Sequence, residues 1–145
     1  MIEETVFLDT NVIIYAAGTP HPYKAPCVQI MDDLEAGRLH AAINTEVPQE
    51  LLYRYHQLHL PEKGLQLCER VLKYPLTVLP VTEPDIRLAL EYYAALHSKG
   101  IEPRDAVHAA TMKTHGIRLL LSADRAFDLL GFIERIDPPN YASVR

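Results

Sequence analysis

The chain has 145 residues and a mass of 16.4 kDa, room for one ordinary domain, and its 48% hydrophobic and 23% charged residues exclude disordered and low-complexity classes. No apolar run approaches the ~18 residues of a membrane span, and Glu3 and Glu4 stand where a secretory leader carries positive charge, so a cytoplasmic protein with no membrane partner is expected. Nineteen acids against fourteen bases give a formal charge of −5, which lacks the basic footprint of a nucleic-acid binder, so any nucleic-acid chemistry needs positive charge from another source, such as a divalent cation.

Thr5 to Leu8 is a short β-branched and apolar run that reads as a buried strand ending at Asp9. A short helix is expected over Asn11–Ala16, closed by Gly18, Pro20 and Pro22. A longer helix is expected over Tyr23–Ala36, with Pro26 in its first turn and Gly37 at its end. His40–Asn44 is the second strand. Thr45 then reads as a helix N-cap, with Pro48 in the first turn and Glu50 farther along.

Pro61 opens a helix running to Tyr74, and Leu76–Leu79 is the third strand. Thr82 with Asp85 reads as a variant capping box for a helix that ends near Ser98 and Gly100. Another helix is expected over Arg104–His115, closed by Gly116. Arg118–Ser122 is a strand, Asp124–Leu130 a short helix, and Ile133–Ile136 a last strand. Pro138 and Pro139 mark residues 138–145 as a flexible tail of a single domain spanning 1–145. Strands alternating with helices call for a parallel sheet covered on both faces. Cys27 and Cys68 have no metal or redox spacing and read as buried or incidental thiols in a reducing compartment.

In such sheets ligands bind beyond the carboxyl ends of the strands. Asp9 directly ends the first strand, and Asp124 comes just after Ser122 at the end of the fourth. Glu50 and Asp105 lie near the starts of helices that run opposite to the strands, which brings them to the same edge. Converging carboxylates repel one another and stay ionised most readily around a cation; an all-oxygen set suits Mg²⁺ or Mn²⁺. Such a cation lowers the pKa of bound water and clamps phosphoryl oxygens, which points to phosphodiester hydrolysis. Each acid alone has a plainer role: Asp9 in an Asx turn, Asp105 at a helix dipole, Asp124 as an N-cap, Glu50 paired with Arg54. Four such roles at one sheet edge are a less economical account than one shared site.

Four segments resemble the motifs of PIN domains. They are Phe7-Leu8-Asp9-Thr10-Asn11, Asn44 through Leu52 with Glu50 as the acid, Arg104 through Ala110 around Asp105, and Leu121 through Phe127 around Asp124. The resemblance covers nearly the whole chain and implies a PIN-like three-layer α/β/α sandwich with a central parallel sheet of four to five strands. It also implies a ribonuclease using Mg²⁺ or Mn²⁺ held by Asp9, Glu50, Asp105 and Asp124, leaving 5′-phosphate and 3′-hydroxyl ends. Ser122 would support the acids by hydrogen bonding, and Thr10 and Asn11 would orient Asp9 or the cation's water shell.

Small single-domain members resemble the VapC toxins of prokaryotic toxin–antitoxin pairs, which implies an RNA substrate, an antitoxin protein as partner and a homodimer. A stand-alone RNA-processing nuclease and a catalytically silent scaffold binding RNA or protein are the alternatives.

Arg54, Arg104 and Arg125 lie beside the acids in sequence and are candidates for substrate phosphate contacts; neutralising a neighbouring carboxylate is their plainer role. Tyr15, Tyr23 and Tyr53 are candidates for stacking on bases. His108, three residues after Asp105, reads as a packed or hydrogen-bonded structural histidine, and Asp128 as a solvated residue. A haloacid-dehalogenase-type phosphatase needs an acid at position 11, which is Asn. A receiver domain needs an acidic neighbour for Asp9 and an Asp after the third strand, and has neither.

Overall fold

A computed structural model describes residues 2–145. The elements come in the expected order: β1 (Val6–Leu8), α1 (Thr10–Ala17), α2 (Lys24–Glu35), β2 (Ala41–Asn44), α3 (Glu46–Gln57), α4 (Pro61–Val71), β3 (Thr77–Leu79), α5 (Glu83–Leu96), α6 (Pro103–Thr114), β4 (Leu119–Leu121), β5 (Glu134–Ile136) and α7 (Tyr141–Val144). Short 3₁₀ turns cover His97–Lys99, Arg125–Leu129 and Pro138–Asn140.

The five strands form one parallel sheet in the order β3-β2-β1-β4-β5. Each strand is only three or four residues long, and β1 and β4 are buried along their whole length. Alternation along β1 divides the core. Val6 and Leu8 pack with Ile13, Ile30, Leu34, Leu51 and Val71 from α1 to α4. Phe7 turns to the other face with Leu120 of β4, Ala106, Ala109 and Met112 of α6, and Phe127. This is the three-layer sandwich. Ala109 and Ala110 are fully buried, and their small side chains let α6 lie close to the sheet.

Local signals account for several boundaries. Thr82 and Asp85 close the capping box at the start of α5 from both sides: Asp85 N–H donates to Thr82 Oγ1 at 3.3 Å and Thr82 N–H to Asp85 Oδ2 at 3.1 Å. Gly37 and Gly116 take φ of +76° and +66° after α2 and α6, the left-handed conformation that ends helices. Thr45 departs from its expected role. It stands at the N-cap of α3, but its hydroxyl accepts the backbone N–H of Val81 at 3.1 Å and so ties the helix start to the segment after β3.

The segment expected to be a flexible tail is folded. Residues 138–144 form a 3₁₀ turn and α7, and Tyr141 is 2% exposed with its hydroxyl donating to Asp33 Oδ2 at 2.7 Å. Asp33, in α2, is itself buried and also accepts from Gln29, Arg38 and Arg145. Two prolines stop the preceding strand, and Asp33 then captures the residues beyond them across a separation of 108 positions.

Helices α3 and α4 cross tightly at Gly64. A Cβ there would stand 2.8 Å from Cβ of Tyr55, an atom too close to its own backbone to swing away. Gly64→Ala is therefore expected to destabilise the fold, because overpacking of ~1–3 kcal/mol outweighs the ~1 kcal/mol gain in helix propensity. Urea unfolding checks this, and a stabilised variant would contradict it.

Candidate active site

Strand order reverses between β1 and β4, the position where open parallel sheets bind ligands. Register puts the last residues of these strands, Leu8 and Leu121, side by side, so Asp9 and Ser122 leave the sheet together. Ser122 is completely buried and acts as a hub. Its hydroxyl donates to Asp9 Oδ2 at 2.6 Å and accepts the backbone N–H of Asp124 at 3.0 Å. Asn11 bridges the same strands: its amide donates to Asp9 Oδ2 at 3.1 Å and Ser122 Oγ at 3.3 Å, and its oxygen accepts Ala123 N–H at 3.4 Å. The other oxygen of Asp9 accepts the N–H of Thr10 at 2.8 Å, which starts α1.

The remaining acids arrive on helices. Asp105 sits in the first turn of α6, 8% exposed, with Oδ2 accepting the N–H of Glu102 at 3.1 Å. Asp124 caps the 3₁₀ turn after β4 by accepting Ala126 N–H at 2.9 Å. Their plainer roles as helix-start residues are thus real, and both still line one groove with Asp9 and Glu50. Glu50 comes from α3 and does not pair with Arg54. Its Oε1 lies 2.6 Å from Nε2 of His108. Glu46, one turn earlier, is half-buried and does not line the groove.

The electrostatics are those of crowded anions. Burial is the largest influence on Asp9 and raises its pKa, with Glu50 adding to the rise; His108, Ser122 and Thr10 oppose it. Burial pushes Asp105 up to about 7, with Asp124 and Asp9 contributing, against the opposing pull of the Glu102 N–H and His108. Glu46 is raised by burial and by Glu50. For His108 burial works against the charged form, but the contact with Glu50 and the charges of Asp9, Glu50 and Asp105 outweigh it and hold its pKa above the ordinary value.

The bases divide. Arg54 and Arg104 line the groove, whereas Arg125 does not. None of the three neutralises a carboxylate through an ion pair among the described residues. Arg104 instead lies over the ring of Tyr53, 5.7 Å from its centroid, and Tyr53 is half exposed. Tyr15 and Tyr23 cluster with His21, and Tyr23 donates its hydroxyl to Asp137. Asp128 is exposed, as expected, and pairs with Arg135 at 3.0 Å away from the groove.

The donor set fits a hard divalent cation. All four acids offer oxygen, and Thr10, 3% exposed at the groove, has a buried hydroxyl oxygen without a hydrogen-bond partner. Among the described residues no three Asp, Glu, His or Cys side chains are grouped so as to hold a metal ion by themselves. Mg²⁺ is usually held by one or two carboxylates, with water and substrate phosphate completing the shell, so an open set of this kind suits it.

With this arrangement established, comparison with known proteins decides the family. The PIN domain family matches residues 6–133. The chain belongs to the PIN domain family. Among curated relatives, ribonuclease VapC13 of Mycobacterium tuberculosis is 29% identical over 131 residues, covering 90% of this chain and 98% of its own. Among solved structures, the sarcin-ricin loop cleaving toxin VapC20 of M. tuberculosis superposes with a TM-score of 0.75 at 17% identity, covering 89% of this PIN domain and 97% of that chain. VapBC2 of Rickettsia felis, bound to a promoter DNA fragment, gives 0.70 at 20% identity, covering 92% and 100%.

The four segments that resemble PIN motifs place their acids on one groove of this PIN domain. Sequence reasoning leaves Asn44 out of that group and reads His108 as structural. Asn44 is a polar residue closing an otherwise apolar strand, and His108 lies one turn after Asp105, the two signals that could join them to the site. No helix among the described residues is long and apolar enough to cross a membrane.

Proposed function

We propose that this PIN domain is a divalent-cation-dependent endoribonuclease and the toxin of a toxin–antitoxin pair. The observation that carries the reading is the convergence of Asp9, Glu50, Asp105 and Asp124 on one groove at the strand-order reversal. It is supported by the relatives, which are named ribonucleases, and by the similar folds of VapC and VapBC structures. The partner in this reading is an antitoxin protein.

Asp9, Glu50, Asp105 and Asp124 would hold Mg²⁺ or Mn²⁺. The cation supplies an activated water and stabilises charge on the phosphoryl oxygens. The chain's own groups do the positioning. Ser122 and Asn11 fix Asp9 through two donors on one oxygen, leaving the rotamer of this acid set before any cation arrives. The N–H groups of Glu102 and Ala126 do the same for Asp105 and Asp124. Arg54 and Arg104 give the groove wall positive charge for the RNA backbone, and Tyr53 extends the Arg104 side as a stacking face. Half-exposed Leu65, Leu72 and Leu90 on α4, just after it and on α5 offer apolar area for the homodimer or the antitoxin.

The test is cleavage of a structured RNA pool with Mg²⁺, with Mn²⁺ and with chelator, with wild type and Asp9→Asn purified identically. Cation-dependent products carrying 5′-phosphate, absent for the variant, are the expected result. Equal cleavage by both proteins contradicts the site. If neither cleaves even ribosomal RNA, the enzyme reading falls in favour of a silent scaffold.

A further inference from the structure

Behind the carboxylate groove lies a buried polar chain. Asn44, at the carboxyl end of β2, is completely buried and does not line the groove. Its amide is held from both ends. The oxygen accepts the N–H of Glu46 at 3.2 Å, which fixes which end of the amide is nitrogen. The nitrogen then faces Nδ1 of His108 at 3.1 Å and donates to Thr111 Oγ1 at 3.1 Å, whose own proton goes to Val107 O at 3.0 Å.

In the neutral ring, an amide N–H aimed at Nδ1 makes that nitrogen the acceptor and puts the proton on Nε2. Nε2 stands 2.6 Å from Glu50 Oε1 and 3.8 Å from Asp9 Oδ1. Nε2 and Oε1 meet at ion-pair distance, and neither atom has a hydrogen-bond partner among the described residues. The ring, 1% exposed, also rests on Phe7 with centroids 5.3 Å apart. Packing alone would be served by an apolar side chain at either position. Two buried polar residues linked in series, the second at ion-pair distance from Glu50, indicate an orienting device.

We infer that His108, held by Asn44, is a positioning residue that aims Glu50 into the cation site. His108 touches neither substrate nor cation in this arrangement; it acts through Glu50, and Asn44 acts through His108. The inference rests on the cation-site reading proposed above.

The test measures Mn²⁺ affinity by electron paramagnetic resonance, independent of RNA cleavage. His108→Leu keeps bulk and removes the donor, and is expected to weaken Mn²⁺ binding ~10–100-fold, the usual cost of losing such support. His108→Gln can present an amide N–H to Glu50 and is expected to recover most of that loss. In a Glu50→Ala background His108→Leu is expected to change affinity by less than about 2-fold, because nothing is left to aim. Asn44→Leu is expected to weaken binding in the wild type and to add nothing to His108→Leu. Thermal melts of each variant identify any that fail to fold, and His108→Gln then carries the comparison.

Wild-type affinity in His108→Leu, or the same loss with and without Glu50, overturns the inference while leaving the cation site standing. Failure of the wild type to bind Mn²⁺ at millimolar concentration overturns the cation reading itself.

Discussion

Asp105→Asn is expected to lose at least ~100-fold of the cation-dependent RNA cleavage and, with chelator present at pH 8, to be more stable than the wild type. The activity loss comes from removing a carboxylate that faces the groove; losing a mere supporting partner of a ligand already costs ~10–100-fold. The gain in stability has a separate origin. Asp105 is buried beside Asp124 and Asp9, and its pKa is pushed up to about 7 from 3.8. The folded state therefore binds more protons than the unfolded chain between about pH 4 and 7. Stability is highest below that window and falls as pH rises through it.

A shift of this size corresponds to a cost of up to ~4 kcal/mol above pH 7. Asparagine carries no charge and can still accept the Glu102 N–H, so the variant keeps the helix start and loses this penalty. His108, whose pKa is also raised, contributes a loss in the same direction, so the wild-type-minus-variant difference is the informative quantity. Calorimetry in chelator at pH 5 and pH 8 should show the variant's advantage growing with pH. Adding Mn²⁺ should raise the melting temperature of the wild type much more than that of the variant. An advantage that does not change with pH would contradict the argument.

Asp33→Ala is expected to destabilise the protein by roughly 3 kcal/mol at pH 7, the size of effect produced by orphaning buried partners of a charge. Asp33 accepts from Tyr141 at 2.7 Å, Gln29 at 2.9 Å, Arg38 at 3.0 Å and Arg145 at 3.1 Å. Removing it strands the buried Tyr141 hydroxyl and releases α7. Burial alone would raise the Asp33 pKa, but Tyr141, Arg38, Gln29 and Arg145 outweigh it and hold the group below its ordinary value.

The sign is opposite to that of Asp105. This stability is present above the ordinary carboxylate pKa and disappears as pH falls through the lowered one. Urea unfolding at pH 7 and pH 2.5 should show the gap between wild type and variant closing in acid. Protease should cut the variant near Tyr141 before the core opens. A gap equal at both pH values would contradict the role of the charge.

Legibility in the sequence divides along the reach of the interactions involved. The Thr82–Asp85 capping box, the apolar strands and the acids that end or succeed them are legible because each depends on neighbours within a few residues or on the rule that parallel strands share a carboxyl edge. Asp9, Glu50, Asp105 and Asp124 can be grouped on that basis alone. Asn44 cannot be joined to His108, because the bond spans 64 residues and a single buried amide leaves no periodic trace. Tyr141 likewise comes after two prolines and reads locally as the end of order, while its partner lies in α2. The hydroxyl of Thr45 reads locally as the cap of its own helix, but a competitor at Val81 takes it. Arg54 and Arg104 sit beside carboxylates in sequence, yet helical geometry turns them along the groove wall.

The hydroxyl of Ser122 that joins the ends of β1 and β4 also governs when the groove can form during synthesis. Its bond to Asp9 spans 113 residues, and Asp124 comes two residues later. A chain emerging from the ribosome already carries Asp9, Glu50 and Asp105, but it has neither the serine that orients the first nor the fourth acid until residues 122–124 have been made. Closing so long a loop is among the slower steps open to a small domain. A nascent chain that stops short of Ser122 therefore carries three of the four acids without the bond that orients the first, and its groove is incomplete until the last strands dock.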